Sequence, residues 1–581
     1  MRLLSMRLDG HYKGLHDQTF NFGSSRGNII AFIGLNGSGK SQLLELMAET
    51  FGYLERYLRG DFKCRNWFDS MALELNYSNQ VYDSDPLSHD YKITINRLGK
   101  VLFLRDDEIV DTDIMQGAEL QAEIDKFLPS QIIGYSSGLN ENLQRSFMKN
   151  SVQYLDAMNA KRAWEVRLAV IKNNWDSKGE YLTESDLEIY DSQISDAYNY
   201  YQRRYQGIFP ALPENVRVSE NPELGLRATQ LPRLKYLDHD ATALLLTSLG
   251  SMSDEEQKAI WNEKLRFNKV NSVTIKYDLR KFTHDAGALH DVVRLVRCIG
   301  GVNSDNFSHL PNIDKTSEEF YNQFELDYLA GEIKIDFSQS EIQNMFNNVF
   351  DEPEVLFEKL YRLQLLGAEF WPGELKRKLR QDNFIGGVKK PQKWKSPIQI
   401  LSLKLTDGVD CIEFDDLSDG EAQLIQTLAM AAVYKNSRTL FLLDEPETHL
   451  NPSWRTYFHT YLDEVVNQGR SNEKLQMFIS THSPFMISSL QKENVFLFER
   501  YEEGIISMIP MPSQTYGASF EVLIKKHFGL RSLISQTAVE AVKEHLPKDE
   551  QPESIATAKK WVEENLGDSM ERAYLLRKLQ N

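Results

Sequence analysis

The sequence predicts an α/β protein whose central sheet is built from the two ends of the chain. A large, mostly helical insertion separates those ends, and a helical tail follows. Three observations carry that reading. The segment Gly34-Leu35-Asn36-Gly37-Ser38-Gly39-Lys40-Ser41 follows an apolar run, Asn28–Ile33, and precedes Leu43, Leu44, Met47, Ala48 and Phe51 at helical spacing. It fits G-x-x-x-x-G-K-[ST], a phosphate-binding loop, in the strand–loop–helix context that motif requires. A second apolar run, Thr439–Leu443, ends in two adjacent carboxylates, Asp444 and Glu445. Between them, from about Asn142 to about Pro397, long helical stretches dominate, Lys149–Asn173 and Ser185–Arg204 among them.

In chain order, Arg2 to about Phe22 alternates apolar and polar with a turn near Gly10, which predicts two antiparallel strands ahead of the loop. His11, Tyr12 and Lys13 fall in that connection, either near a bound base or as a solvated turn. Ala72–Tyr77 and Tyr91–Asn96 alternate and Val101–Leu104 is apolar, so a further antiparallel sheet should attach to the core. Ile132–Tyr135 reads as one more strand, leading into the polar loop Ser136–Glu141. Within the insertion, Asn271–Leu279 alternates like an isolated strand, whereas Ser317–Tyr328 and Glu354–Phe370 look helical. Leu401–Leu405 and Cys411–Phe414 predict two strands. Leu417-Ser418-Asp419-Gly420-Glu421 then opens a helix, with Ser418 as N-cap and Glu421 at the capping-box position. Met477–Thr481 is a strand ending in His482-Ser483-Pro484. The tail reads as helices at Phe520–His527, Ala538–His545, Ser554–Glu564 and Ser569–Leu579. The expected division is therefore 1–141, 142–397, 398–512 and 513–581.

Each residue type in the loop and acidic strand suits one part of a magnesium–nucleotide complex. The glycines let the backbone through Asn36, Gly37, Ser38 and Gly39 curl so that several N–H groups face one anion, and the helix N-terminus adds its positive end. Lys40 can reach the β- and γ-phosphates, and the Ser41 hydroxyl can bind Mg²⁺. Burial explains an apolar strand but not two acids at its tip. Asp444 is the candidate partner of Mg²⁺ through its water shell, and Glu445 the candidate acid that polarises an attacking water. His482 stands at the C-terminal end of a strand, where ligands of open sheets bind.

These motifs, in this order, resemble those of the ATP-binding-cassette ATPases: a P-loop (Gly34–Ser41), a signature (Leu417–Glu421), a Walker B strand (Thr439–Glu445), a D-loop (around Glu447–Asn451) and a switch histidine (His482). The resemblance implies an ABC-type ATPase head made from N- and C-terminal lobes, with ATP and Mg²⁺ bound and Glu445 and His482 as the catalytic pair. It also implies that Ser418 and Gly420 face the nucleotide of a second copy, in a homodimer or higher homo-oligomer. The long insertion resembles the soluble chromosome-maintenance, recombination-repair and overcoming-lysogenisation-defect (SMC, RecF, OLD) branch rather than membrane transporters. Asp444-Glu445-Pro446-Glu447, His449-Leu450, Pro452 and Ser480–Pro484 are similar to the last of these. With Tyr135–Glu141 and Thr515–Ser519, the chain most resembles the Septu-type antiphage defence ATPases. That similarity implies an HNH nuclease partner, sometimes within a retron and so with its RNA–DNA complex. Asp419 and Glu421 stand where transporters carry Gly and Gln, and the glutamine loop is either Gln131 or within Ser136–Glu141. A DNA-repair ATPase that clamps DNA directly and an ATP-dependent scaffold are the competing expectations. Glu445 speaks against the scaffold.

Composition narrows the partners. The 581 residues, 41% hydrophobic and 26% charged, suit a soluble protein of more than one domain. No apolar run approaches the about 20 residues of a membrane span. Cys64, Cys298 and Cys411 are far apart, which predicts a reducing cytoplasm. A net charge of −18 argues against generic nucleic-acid binding. The local exception is a basic patch, Lys376, Arg377, Lys378, Arg380, Lys389, Lys390, Lys393 and Lys395 with Trp371 and Trp394, which either holds a phosphate backbone or is a solvated face. No second carboxylate cluster, His-Asn-His arrangement or cysteine metal site is evident, so no nuclease centre is expected in this chain. The tail's Phe520, Leu523, Phe528, Leu530 and Leu533 either dock a partner or cover the core.

Overall fold

The computed structural model describes residues 2–58, 67–79, 89–111, 123, 125–137, 141–177, 183–204, 231–261, 265–282, 286–310, 323–388, 396–467, 475–501, 504–529, 532, 534–547 and 551–579. In chain order its strands are β1 (Arg2–Tyr12), β2 (Leu15–Asn21), β3 (Ile29–Gly34), β4 (Met71–Asn79), β5 (His89–Ile95) and β6 (Val101–Arg105). There follow β7 (Glu108–Val110), β8 (Gln131–Ser136), β9 (Leu234–Tyr236), β10 (Lys269–Asp278), β11 (Phe307–His309) and β12 (Ala330–Asp336). The last are β13 (Ile398–Thr406), β14 (Cys411–Glu413), β15 (Thr439–Asp444), β16 (Gln476–Ser480), β17 (Val495–Arg500) and β18 (Ile506–Pro510).

Thirteen of them form one sheet in the order β7-β6-β5-β4-β1-β2-β18-β17-β3-β16-β15-β8-β9. From β17 to β9 every neighbouring pair is parallel. From β7 to β2 every pair is antiparallel. β3 shows why the central strands read as continuous apolar runs: all six of its residues are buried. Ile29, Ala31 and Ile33 face one hydrophobic cluster, and Ile30 and Phe32 the other. The sheet thus divides two cores. The P-loop helix (Lys40–Leu58) packs its Leu43, Leu44 and Met47 into the second core, and the signature helix (Asp419–Tyr434) its Leu424, Leu428 and Ala429 into the first.

Two expectations change and a third narrows. β1 runs through Gly10 as a bulge, and the chain turns at Lys13 (φ 52°) and Gly14 instead. His11 and Tyr12 belong to the strand, with Tyr12 buried; Lys13 is committed to Glu45 at 2.6 Å. The strand of 271–279 is not isolated. β10 lies at the centre of a second sheet, β11-β12-β10-β13-β14, which pairs the insertion with residues 398–413. Its alternating burial was legible, but its partners lie too far along the chain to be read locally. Of the two readings of the tail, Leu523 of its first helix (Phe520–His527) takes the covering one, buried in the core, while Phe520 packs on Phe485 with ring centroids 4.4 Å apart and stays partly exposed. Leu530, Leu533, Ser317–Asn322, Tyr205 and Cys64 lie outside the described residues.

The two long helices expected in the insertion appear as Glu141–Asp176 and Glu184–Arg204, packed through Trp164, Ile171, Trp175, Ile194 and Tyr198. The first is tied to the P-loop helix by buried charge. Lys149 Nζ meets Glu49 at 2.7 Å, and Arg145 contacts both Glu45 and Glu49. Among the described residues no helix is long and apolar enough to cross a membrane.

Candidate active site

The P-loop leaves the buried end of β3 at Gly34. There φ is 143°, and an added Cβ would meet the Phe498 carbonyl oxygen at 2.3 Å. Only glycine fits this close approach, so β17 behind the loop dictates its first residue. Leu35, Asn36 and Gly37 are exposed at the crest, and Ser38, Gly39 and Lys40 return into the core. The Ser38 hydroxyl is buried and has no hydrogen-bond partner among the described residues. Lys40 Nζ donates to the carbonyls of Gly34 (3.0 Å) and Leu35 (3.2 Å) and to His482 Nε2 (2.9 Å). Burial pulls its pKa down to about 8, against the upward pull of Glu445 and Asp444.

The acidic strand arrives beside this loop because β16 alone separates β15 from β3. Asp444 Oδ1 accepts from the Ser41 hydroxyl at 2.8 Å and from Ser480. The two candidate magnesium ligands, distant in sequence, are therefore in contact. Glu445 follows with φ 54°, a left-handed backbone that turns its carboxylate away from the strand axis toward His482. Its Oε1 lies 3.4 Å from His482 Nε2, and Thr448 Oγ1 donates to its Oε2 at 3.3 Å. Burial and the Lys40 charge hold the His482 pKa down to about 4, so the ring is neutral and accepts from the lysine.

Two side chains that the sequence offered in other roles, Glu447 of the D-loop and Phe528 of the tail, lie against these groups. Glu447 is buried, accepts from Thr481 Oγ1 and leaves Oε2 without a partner; desolvation raises its pKa to about 7. Phe528, from the tail, approaches the His482 ring at 6.5 Å between centroids. The hydroxyl-rich run Ser480-Thr481-His482 was a legible sign of the first, but nothing local signalled the second.

Ser418 caps the signature helix as expected, with both halves of the capping box formed. Among the described residues its hydrogen bonds run to Glu421 and Ala422, not to the P-loop group. Gly420 has an intrachain reason: a Cβ there would meet the His449 carbonyl oxygen at 2.9 Å, where this helix abuts the D-loop. Of the two glutamine-loop choices, Gln131 sits at the far, N-terminal end of β8 and donates to Glu354 (3.1 Å) and Glu358 (2.9 Å). The other end reaches the site: Ser137 N–H donates to the Asp444 carbonyl at 3.1 Å, and its hydroxyl to Thr448 at 3.2 Å. Gly138, Leu139 and Asn140 lie outside the described residues. In the basic patch, Lys376, Lys378 and Arg380 are paired with Glu369, Glu374 and Asp156. Lys389, Lys390, Lys393, Trp394 and Lys395 are outside the described residues.

β17 lies in the main sheet beside β3 and parallel to it. Among the described residues no group of three or more His, Cys, Asp or Glu is arranged to hold a metal ion.

Comparison with known proteins places this geometry. The family described as AAA_15, AAA ATPase domain, matches residues 1–487. Protein ea59 of Escherichia phage lambda is 27% identical over 128 residues, which are 21% of this chain and 23% of that protein's length. The Smc head domain with an extended coiled coil bound to the C-terminal domain of ScpA, from Pyrococcus furiosus, aligns with 91% of this chain and 100% of its own at 11% identity, with a TM-score of 0.31. The SMC head domain from Thermotoga maritima gives 88%, 100%, 10% and 0.31. The recombination mediator RecF with ATP gives 87%, 99%, 12% and 0.30. The family match spans most of the chain and includes every candidate residue from the P-loop to His482, and by it the chain belongs to the AAA ATPase domain family.

Proposed function

We propose that this protein binds and slowly hydrolyses ATP, pairs head-to-tail with a second copy across two nucleotides, and thereby controls a separate HNH-type nuclease in a bacterial antiphage defence system. The observation that supports it most is the convergence of Lys40, Ser41, Asp444, Glu445 and His482 at one end of the parallel strands. The residues fit a magnesium–nucleotide complex. The Ser38 hydroxyl is an unpartnered buried donor within the loop, and Ser41 and Asp444 already touch. In this reading Lys40 leaves the Gly34 and Leu35 carbonyls for the β- and γ-phosphates and gives up its bond to His482. His482 then retains Glu445 as its neighbour. Ser41 and Asp444 would hold Mg²⁺, which would supply neutralisation of phosphate charge. Glu445 takes the proton of the attacking water, oriented by the Thr448 hydroxyl.

Ser418, exposed at its helix N-terminus, and the close-packed Gly420 are assigned to the γ-phosphate held by the partner copy. The nuclease partner rests on the similarity of Tyr135–Glu141, Leu417–Glu421 and Thr515–Ser519 to the Septu-type ATPases. Pairing of Lys376, Lys378 and Arg380 with carboxylates weighs against direct DNA clamping by that face.

Lys40→Ala should abolish ATP binding. Glu445→Gln should keep it, lower turnover about a hundredfold or more, and accumulate the dimer by light scattering. Monomer mass for wild type and Glu445→Gln alike at saturating ATP would overturn the pairing. Metal-dependent DNA cleavage by the purified chain alone would overturn the division of labour.

A further inference from the structure

The segment that carries His482 is held from outside by the tail. After β16 the chain passes His482 and forms a short helix, Pro484–Ser488. Residues 515–529 then run back along it in the opposite direction. The buried Thr515 donates its hydroxyl to the Leu490 carbonyl at 2.6 Å. The Gly517 N–H donates to the Ser488 carbonyl at 2.9 Å, and the Ser488 hydroxyl to the Ala518 carbonyl at 3.0 Å. Phe520 packs on Phe485, and Leu523 enters the core. Phe528 comes last: it packs on the same core and sets its ring against that of His482 at 50°. At Gly529 the backbone reaches the crest of the P-loop, where an added Cβ would lie 3.2 Å from Leu35 Cδ2. The tail thus tracks the histidine segment from its far end back to the nucleotide loop.

A bound nucleotide takes away the shortest polar tie of the His482 ring. Its Nε2 accepts from Lys40 at 2.9 Å, and Lys40 is the side chain assigned to the β- and γ-phosphates. Glu445 Oε1, 3.4 Å from the same nitrogen, remains beside it. A side chain released from a hydrogen bond regains rotamer freedom unless packing withholds it. The Phe528 ring supplies that packing, and it is itself fixed. Leu523 anchors its helix in the core, and the Phe528 N–H donates to the Ile524 carbonyl at 3.1 Å. We propose that Phe528 is a positioning residue: it holds the His482 ring toward the γ-phosphate, so the tail sets how well the site tells ATP from ADP. This rests on the reading of His482 at the γ-phosphate of bound ATP.

The test is calorimetric titration of the full chain with a non-hydrolysable ATP analogue and with ADP, each with Mg²⁺. Phe528→Ala should lower the preference for the analogue over ADP about fivefold, the worth of one aromatic contact. Affinity for ADP should hold, because ADP has no γ-phosphate for His482 to meet. In turnover, kcat/KM for ATP should fall at least as far. Phe528→Tyr keeps the ring and should restore the wild-type preference. Phe528→Leu keeps apolar packing without the ring and should behave as Phe528→Ala; should the alanine variant not fold, the leucine variant decides. In a His482→Gln chain, Phe528→Ala should change the preference no further, a non-additivity that a merely structural role would not produce. A wild-type preference in both ring-less variants would overturn the proposal. So would equal losses for analogue and ADP, additive losses in the double variant, or a His482→Gln chain with the wild-type preference. A wild-type chain that binds nucleotide but hydrolyses no ATP would end the ATPase reading instead, and the binding ratios would still decide the role of Phe528.

Discussion

The 2.9 Å bond from Lys40 to His482 requires a bare Nε2, and burial keeps it so by lowering the ring's pKa from 6.5 to about 4. Between those values the unfolded chain holds a proton at this position and the folded chain does not. The contribution of His482 to stability is thus full above pH 6.5 and is lost as pH falls toward 4. Glu447 behaves oppositely. Its pKa rises from 4.5 to about 7, so its contribution is full below pH 4.5 and is lost as pH rises through 7. His482→Gln should flatten the acid limb of a stability–pH curve measured by denaturant unfolding. Glu447→Gln should remove the loss on the neutral side and gain about 2 kcal/mol at pH 8. Slopes unchanged from wild type in both variants would contradict the assignment. Gly34 is constrained by contact rather than charge: Gly34→Ala must displace either the loop or β17, and loss of ATP affinity should accompany any fall in stability.

At the scale of elements, the pairing of the P-loop helix with the Glu141–Asp176 helix is an ionic seam. Lys149 and Arg145 are fully buried against Glu45 and Glu49. Removing Lys149 leaves the buried Glu49 with Arg145 alone and the Asp382 carbonyl without this donor, so Lys149→Met should cost about 3 kcal/mol in chemical denaturation. The tail divides into unequal parts. Leu523 of the Phe520–His527 helix is a core residue, and Leu523→Ala should cost about 2–5 kcal/mol. The helices Pro552–Asn565 and Met570–Lys578 bury only Ala558 and Val562 between them. Deleting 554–581 should therefore leave ATP binding intact. Cosedimentation of that truncated chain with the proposed nuclease partner then reads whether these last helices dock it.

At the scale of the molecule, β3 has no neighbour from its own end of the chain. Its partners are β16 and β17, both from beyond residue 475. Residues 1–141 alone would expose Ile29–Ile33 on both edges. Expressed by itself, that segment should lack cooperative thermal unfolding by circular dichroism, and co-expression with 398–581 should not restore it if the insertion's β9 and β10 are needed to close the sheets. Recovery of a cooperative transition by the two pieces would show that the insertion is dispensable for folding.

The P-loop, the acidic strand and the order of the motifs were legible because their chemistry is local: a glycine loop between an apolar strand and a helix, and carboxylates at a strand's tip. Most strands of the main sheet were legible from alternation or continuous burial, but the short β7 and β9, and β18, were not. The same periodicity mistook Gly10 for a turn, because a bulge and a turn use one residue type. It left β10 isolated, since a strand's pattern reports which faces are buried and not which strand lies beside it. Tertiary structure alone decided that Gln131 lies at the wrong end of its strand and that Lys376, Lys378 and Arg380 of the basic patch are already paired. It likewise decided that Glu447 and Phe528 stand beside the catalytic candidates. Each depends on the approach of segments remote in sequence. The sequence by itself determined which residues could handle a nucleotide; the packing of both chain ends around β3 determined which of them meet.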